Sequence, residues 1–366
     1  MPAAPSVVAI GTVVPPTRLA QEWIRDLFDA QPELDRLARR LVHAAFDGAA
    51  IEHRHTVLRD LAPDRRGPDD LPVRTADGIL LSPSTAARNA EYRRLAPALF
   101  AEAARRALAE ADVPAPAVTH LITVSCTGLF APGPDALLVG DLGLDPGVER
   151  YHLGFVGCAA AMPALRLAQR LVRAEPEAIV LVVCAELCSL HLRVSPDPEQ
   201  IVASSLFADG AAAAIVRDAP TDAASLELAD FGTALVAEGE AEMTWTVGDH
   251  GFEMVLTAEV PKIVGREVRA AAARLLGADA WAVHPGGRSI LDRVAGALDL
   301  DEAAMAPSRR VLREYGNMSS ATILFILRDL LADATLPDGA TIGALAFGPG
   351  LTVESARLRH RAGTAA

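Results

Sequence analysis

Short uninterrupted apolar runs alternate along the chain with longer stretches in which apolar positions recur every three to four residues. The runs at 120–125, 178–184, 211–216, 281–283 and 341–346 read as buried strands. Residues 95–111, 161–174, 260–276 and 321–331 carry helical periodicity. The alternation predicts an α/β protein with a buried sheet. Two segments echo each other: a strand ends in a turn with a reactive type of residue and a helix follows, Cys158 before 161–174 and Asn317 before 321–331. A polar, proline-containing joint at 218–224 separates them, so the expected organisation is two halves, 1–219 and 220–366, related by internal duplication. Residues 59–83 break the pattern with four prolines and no sustained periodicity, and are expected to form a long surface loop over a functional edge.

Composition adds room for a ligand. Hydrophobic residues make up 51% of the 366 but aromatics only 4%, so Ala, Val, Leu and Ile must build the core and leave little bulk to block a cavity. A net charge of −13 argues against nucleic acid or an anionic membrane surface as partner. An anionic substrate therefore needs a local basic patch. Lys262 is the only lysine, and Arg39, Arg40 and Arg54 are candidates for phosphate contacts near a cavity entrance. The cysteines at 126, 158, 184 and 188 lie in apolar surroundings without metal or redox spacing. With no leader-like segment and no run long enough to span a bilayer, a reduced cytoplasmic setting is expected.

Three positions carry candidate chemistry. Cys158 follows Gly154 and Gly157 and precedes an alanine-rich helix; a tight turn into a helix N-terminus would favour thiolate over thiol. A free cysteine is otherwise a small buried hydrophobe. His284 ends an apolar strand before Pro-Gly-Gly, at the carboxyl end where open α/β sheets place ligands, although a lone histidine is usually incidental. Asn317, in Tyr-Gly-Asn-Met-Ser-Ser, would by itself serve as a helix cap. Together a thioester-forming cysteine and two hydrogen-bond donors for an enolate or oxyanion suit carbon–carbon bond formation. No metal cluster, phosphate-binding loop or dinucleotide fingerprint competes, so neither a metal nor a nicotinamide cofactor is expected.

From about residue 90 onward the chain resembles the type III polyketide synthases of the chalcone synthase superfamily. The blocks are Gly-Phe-Val-Gly-Cys158, Leu206-Phe-Ala-Asp-Gly-Ala-Ala212, His284-Pro-Gly-Gly287, Tyr315-Gly-Asn-Met-Ser-Ser-Ala321 and Phe347-Gly-Pro-Gly350. The resemblance implies a thiolase-like α/β fold, a duplicated five-layer α-β-α-β-α architecture, and a homodimer. The loop 129–134 would lie near the subunit interface. It implies that Cys158 takes a starter acyl group from coenzyme A while His284 and Asn317 bind the malonyl thioester and its enolate. His284 would also form an ion pair with the Cys158 thiolate. Phe207 matches a gatekeeper between the coenzyme A tunnel and the cavity. Cys126, Cys188, His191, Ser319, Phe347, Gly348 and Pro349 would line the cavity, and Gly286, Gly287 and Ser289 would contact coenzyme A. Acyl-CoA and malonyl-CoA are the implied substrates, with no other cofactor.

Ala346 stands where the family often has glycine, and Ala159-Ala160-Ala161 follows the nucleophile where plant members have alanine-glycine. Both departures weaken transfer of plant substrate specificity. The segments Ser125-Cys-Thr-Gly128, Glu186-Leu-Cys-Ser-Leu-His191 and Thr244–Met254 look like bacterial alkylresorcinol and alkylpyrone synthases, which extend fatty acyl starters. The expected activity is condensation of an acyl-CoA with malonyl-CoA, then cyclisation. Alternatives are a malonyl-CoA-primed naphthalene-type synthase, a single condensation like that of ketoacyl synthase III, and a non-catalytic acyl-CoA-binding scaffold.

Overall fold

The computed structural model describes residues 4–64, 71–219 and 223–363. The chain begins with β1 (Pro5–Val13), β2 (Thr17–Ala20), α1 (Gln21–Asp29), α2 (Arg36–Gly48), β3 (His53–Thr56), α3 (Thr85–Glu110) and β4 (His120–Ser125). It continues through α4 (Pro134–Leu142), β5 (Glu149–Gly154), α5 (Ala161–Ala174), β6 (Val180–Leu187), α6 (Pro198–Leu206) and β7 (Asp209–Asp218). Next come β8 (Ser225–Leu235), a hairpin of β9 (Met243–Gly248) and β10 (Gly251–Leu256), α7 (Val260–Ala271) and β11 (Ala280–Val283). The last elements are α8 (Arg288–Leu298), α9 (Glu302–Tyr315), α10 (Thr322–Leu331), β12 (Thr341–Gly348) and β13 (Thr352–Arg361).

The duplication is visible in the main sheet, whose order is β11-β12-β13-β8-β1-β7-β6-β4-β5. Read outward from the centre, β1-β7-β6-β4 and β8-β13-β12-β11 repeat one arrangement: the outer pair is parallel and the other pairs are antiparallel. The two copies meet at β1 and β8, which pair only at Ser6–Glu227 and Val7–Leu226. The hydrophobic cores layer accordingly. One core joins α3 to the first copy of the sheet, another joins α7, α8 and α9 to the second, and the central core holds α5 and α10 between them. The middle helices are built for that place: α5 buries Ala161, Ala164 and Ala168, and α10 buries eight of its ten residues. A helix apolar on nearly all sides belongs between two sheets.

The predicted elements are all present, and their limits differ where polar residues are buried. β6 and β7 run on through Glu186 and Asp209, and α3 begins at Thr85 and carries buried Arg88 and Glu91. The helix predicted over 260–276 stops at Ala271 and passes into a 3-10 turn, Ala273–Leu275. The expectation of a surface loop at 59–83 is corrected: Leu61, Ala62, Leu71, Val73 and Leu80 are buried in the core shared by α1 and α3, with Leu61 O accepting from Trp23 Nε1 and the Leu80 N–H donating to Gln31 Oε1. They are spaced too irregularly to register as a pattern, yet they cover apolar surface. Residues 65–70 of this stretch and 220–222 of the predicted joint lie outside the described residues.

Because β4, β5 and β6 are mutually parallel, their carboxyl ends lie together, and so do those of β11 and β12. The loops leaving these ends carry Cys126, Cys158, Cys188, His284 and Pro349.

Candidate active site

A cavity of about 520 Å³ opens at these carboxyl ends, a size ordinary for small-molecule sites. Cys158, His284 and Asn317, distant in sequence, all line it. So do Cys126, Cys188, Phe207, Ser319, Phe347 and Pro349, together with Gly286, Gly287 and Ser289.

Cys158 lies in a 3-10 turn, Gly157–Ala159, between β5 and α5. Gly157 is required there twice over: its φ is +71°, and a Cβ would fall 2.2 Å from Pro349 Cδ. The Gly157 N–H donates to Cys126 Sγ at 3.1 Å, tying the nucleophile turn to the end of β4. Asn317 follows Gly316, whose φ is +72°. Its N–H donates to Leu206 O and its carbonyl accepts from Ala208 N–H, both at 2.9 Å, so its backbone is paired alongside Phe207. The Oδ1 atom accepts the Ser319 N–H at 2.9 Å, and Nδ2 turns its donor toward Cys158 Sγ at 3.9 Å. The cap role expected of Asn317 alone and a place in the cavity wall thus coexist. His284 extends β11 by donating its N–H to Leu345 O at 2.8 Å, and the glycines beyond let Gly286 N–H return to His284 O at 3.0 Å. Both ring nitrogens of His284 are buried without a partner among the described residues.

Burial decides the charge states. It pulls His284 down to about 3, so the imidazole is neutral at pH 7. Burial also pushes the Cys158 thiol up to about 11; hydrogen bonding from Ser319 and Asn317 only partly offsets it, and the Glu186 carboxylate adds to the rise. Burial thus favours the thiol at Cys158 and the neutral imidazole at His284, opposing the thiolate expected from the helix N-terminus. Glu186 sits in β6 behind the cavity wall. Its carboxylate accepts from Cys126 N–H at 2.9 Å, Thr127 Oγ1 at 2.8 Å and Ser320 Oγ at 2.6 Å, and burial raises its pKa.

Several expected contacts lie elsewhere. Arg54 is buried, its guanidinium donating to Ser204 O at 2.7 Å and Phe207 O at 2.9 Å, so it supports the Phe207 turn and cannot meet a phosphate at the entrance. Arg39 is held by Leu34 O and Gln31 O at the start of α2. Arg40 is exposed, one helical turn before the lining residue Ala44. His191 does not line the main cavity; its ring bonds Thr127 O and Phe252 N–H and stacks on Phe252, with ring centroids 4.2 Å apart. Gly348 lies behind the wall, packed against Val156 O and Ala159. Lining residues that sequence reasoning missed are Met243, Trp245 and Met254 of the hairpin, and Lys262, Arg288 and Arg293 at the mouth. The basic three carry a signal in retrospect, since Arg288 follows Gly-Gly at a helix start and Lys262 is the lone lysine. Among the described residues no group of His, Cys, Asp or Glu is arranged to hold a metal ion, and no helix is long and apolar enough to cross a membrane.

Comparison with known proteins gives a consistent picture. Residues 3–220 match the N-terminal domain of chalcone and stilbene synthases and residues 227–361 match the C-terminal domain, so the likeness reaches well before residue 90, where the motifs begin. The chain is 33% identical to bisdemethoxycurcumin synthase of Oryza sativa subsp. japonica, covering 96% of this chain and 91% of that protein. Among solved structures it superposes on PKS-I from the brown alga Ectocarpus siliculosus with a TM-score of 0.89 at 29% identity, covering 98% and 99% of the two chains. The 1,3,6,8-tetrahydroxynaphthalene synthase of Streptomyces coelicolor A3(2), a bacterial type III polyketide synthase, gives a TM-score of 0.85 at 28% identity over the same shares.

Proposed function

The chain belongs to the chalcone and stilbene synthase family of type III polyketide synthases, acyl-transferring condensing enzymes, and from that premise we propose that it extends a fatty acyl-CoA starter with malonyl-CoA and closes the product to an alkylpyrone or alkylresorcinol. The observation that carries the reading is the meeting of Cys158, His284 and Asn317 on one largely apolar cavity.

In this reading Cys158 Sγ attacks the starter thioester carbonyl while the neutral imidazole of His284 takes the thiol proton. Coenzyme A leaves and recovers that proton as the acyl thioester forms on Cys158. Malonyl-CoA then binds with its thioester oxygen toward His284 and Asn317 Nδ2. Loss of carbon dioxide leaves an enolate that these donors stabilise. The apolar ring of Phe207 beside the malonyl carboxylate favours its loss. Attack of the enolate carbon on the Cys158 thioester forms the new carbon–carbon bond and expels Cys158 as a thiolate, which regains the thiol by taking a proton from water. A neutral His284 suits both halves, accepting a proton first and donating a hydrogen bond afterwards. We further infer a homodimer; a monomer in light scattering at micromolar concentration would contradict it.

Cys126 and Cys188 are the small wall residues that leave space for an acyl tail. One observation favours a second reading, malonyl-CoA as its own starter. Trp245 donates to Cys126 O at 2.7 Å and stands edge-on to His191 and Phe252, leaving only about 30 Å³ behind Cys188. Product analysis with acyl-CoA starters of graded length separates the two. The fatty-starter reading predicts long-chain pyrones or resorcinols and a shift to shorter starters in Cys126→Phe and Cys188→Phe. An aromatic product from malonyl-CoA alone would replace it with the second reading.

A further inference from the structure

Around the cavity mouth the charge balance of this acidic chain reverses. Lys262, Arg288 and Arg293 are exposed on one lip, where Arg288 reaches toward α2 to within 3.8 Å of a Cβ placed on Gly48. The opposite lip is α2 itself, contributing Ala44, Ala45 and Gly48. Helical spacing continues that face away from the mouth through Leu41, Arg40, Leu37 and Arg36. Leu37 is 65% exposed, the second most exposed large hydrophobic among the described residues. Arg36, Arg40, Arg288 and Arg293 form no hydrogen bond or ion pair among the described residues, whereas many other arginines sit beside a carboxylate. Two unpaired guanidinium groups at the opening, Arg288 and Arg293, and two more along the outer face of α2, Arg36 and Arg40, call for an anionic partner in a chain of net charge −13.

The stripe is larger than a nucleotide requires. From Gly48 to Leu37 the helix rises about 16 Å, beyond the lip where Arg288, Arg293 and Lys262 already await phosphates. Its centre is apolar, which suits the leucines and alanines of a protein helix and not a phosphate backbone. We propose that the outer face of α2 is a docking surface for an acidic carrier protein that presents an acyl group as a thioester on a phosphopantetheine arm. The arm enters between α2 and the start of α8, and the acyl group passes to Cys158 by the same exchange of thiols as from coenzyme A, the carrier's thiol recovering the proton. This proposal rests on the functional reading above.

The experiment compares loading of Cys158 from a fatty acyl-CoA with loading from the same acyl group on a purified acidic acyl carrier protein of fatty acid synthesis, read by intact mass. The Arg36→Glu and Leu37→Asp variants change exposed positions outside the cavity. They should lose carrier-dependent loading by about tenfold and keep loading from acyl-CoA within about twofold. Equal loss from both donors, or unchanged loading from the carrier, overturns the proposal. So does a wild type that loads from acyl-CoA but not from the carrier. A wild type that loads from neither removes the functional reading, and the docking surface with it.

Discussion

Cys158 shows how far a local motif reaches and where it stops. The glycine turn and the helix behind it were legible because they are contiguous in sequence, and they place the thiol at the cavity. The charge state was not legible, because burial and Glu186, from a different strand, outweigh the start of α5 and raise the thiol to about 11. Alkylation of Cys158 by iodoacetamide in the ligand-free protein should therefore climb close to tenfold per pH unit from about pH 7 to pH 10, following the thiolate fraction. A plateau near neutral pH would mean that an ion pair with His284 forms after all. His284 gives the complementary signature. Its folded pKa of about 3 lies below the unfolded value, so the unfolded chain binds the extra proton as pH falls. Stability from this residue is complete above about pH 6.5 and is lost as pH drops toward 3, a few kcal/mol in all. In urea unfolding at pH 4.5 and pH 7, His284→Gln should lose less stability on acidification than the wild type; an equal loss would show that His284 is not desolvated.

Among the elements, the long buried runs were the easiest to read. β4, β6 and β12 are covered on both faces and need no alternation to be recognised. The β9–β10 hairpin escaped attention as structure because its faces are only partly buried, so its pattern is mixed, although it supplies Trp245 and both methionines of the wall. Residues 59–83 escaped for the opposite reason, since their buried side chains pack against elements distant in sequence and follow no local period. The tightest joint between elements is Gly157 against Pro349, which locks the turn before α5 to the loop after β12. Gly157→Ala should destabilise the fold by about 2–4 kcal/mol, from a left-handed backbone and a steric clash together. It should also slow acylation of Cys158 more than tenfold. A variant with unchanged melting temperature and acylation rate would show that this joint does not hold the nucleophile.

At the scale of the whole molecule, duplication explains why residues so far apart in sequence share a cavity. Each copy of the sheet brings its parallel carboxyl ends to the same cavity, one carrying Cys158 and the other His284, while Asn317 comes from the segment between α9 and α10. The echo of strand, turn and helix was visible in the chain, but the pairing of β1 with β8 that brings the copies together leaves no mark in sequence beyond two apolar strands. The mouth was the least legible part, because its cations come from α7 and α8 and not from the arginines of α2 or β3 that composition first singled out. The central claim is that Cys158, His284 and Asn317 act as one condensing site. It is tested most directly by trapping the protein with a fatty acyl-CoA, mapping the adduct by peptide mass spectrometry, and chasing with malonyl-CoA. The account predicts a single acyl thioester on Cys158 that disappears on the chase as a product lengthened by two-carbon units is released. An adduct on Cys126, Cys184 or Cys188, or one on Cys158 that malonyl-CoA leaves untouched, would contradict it.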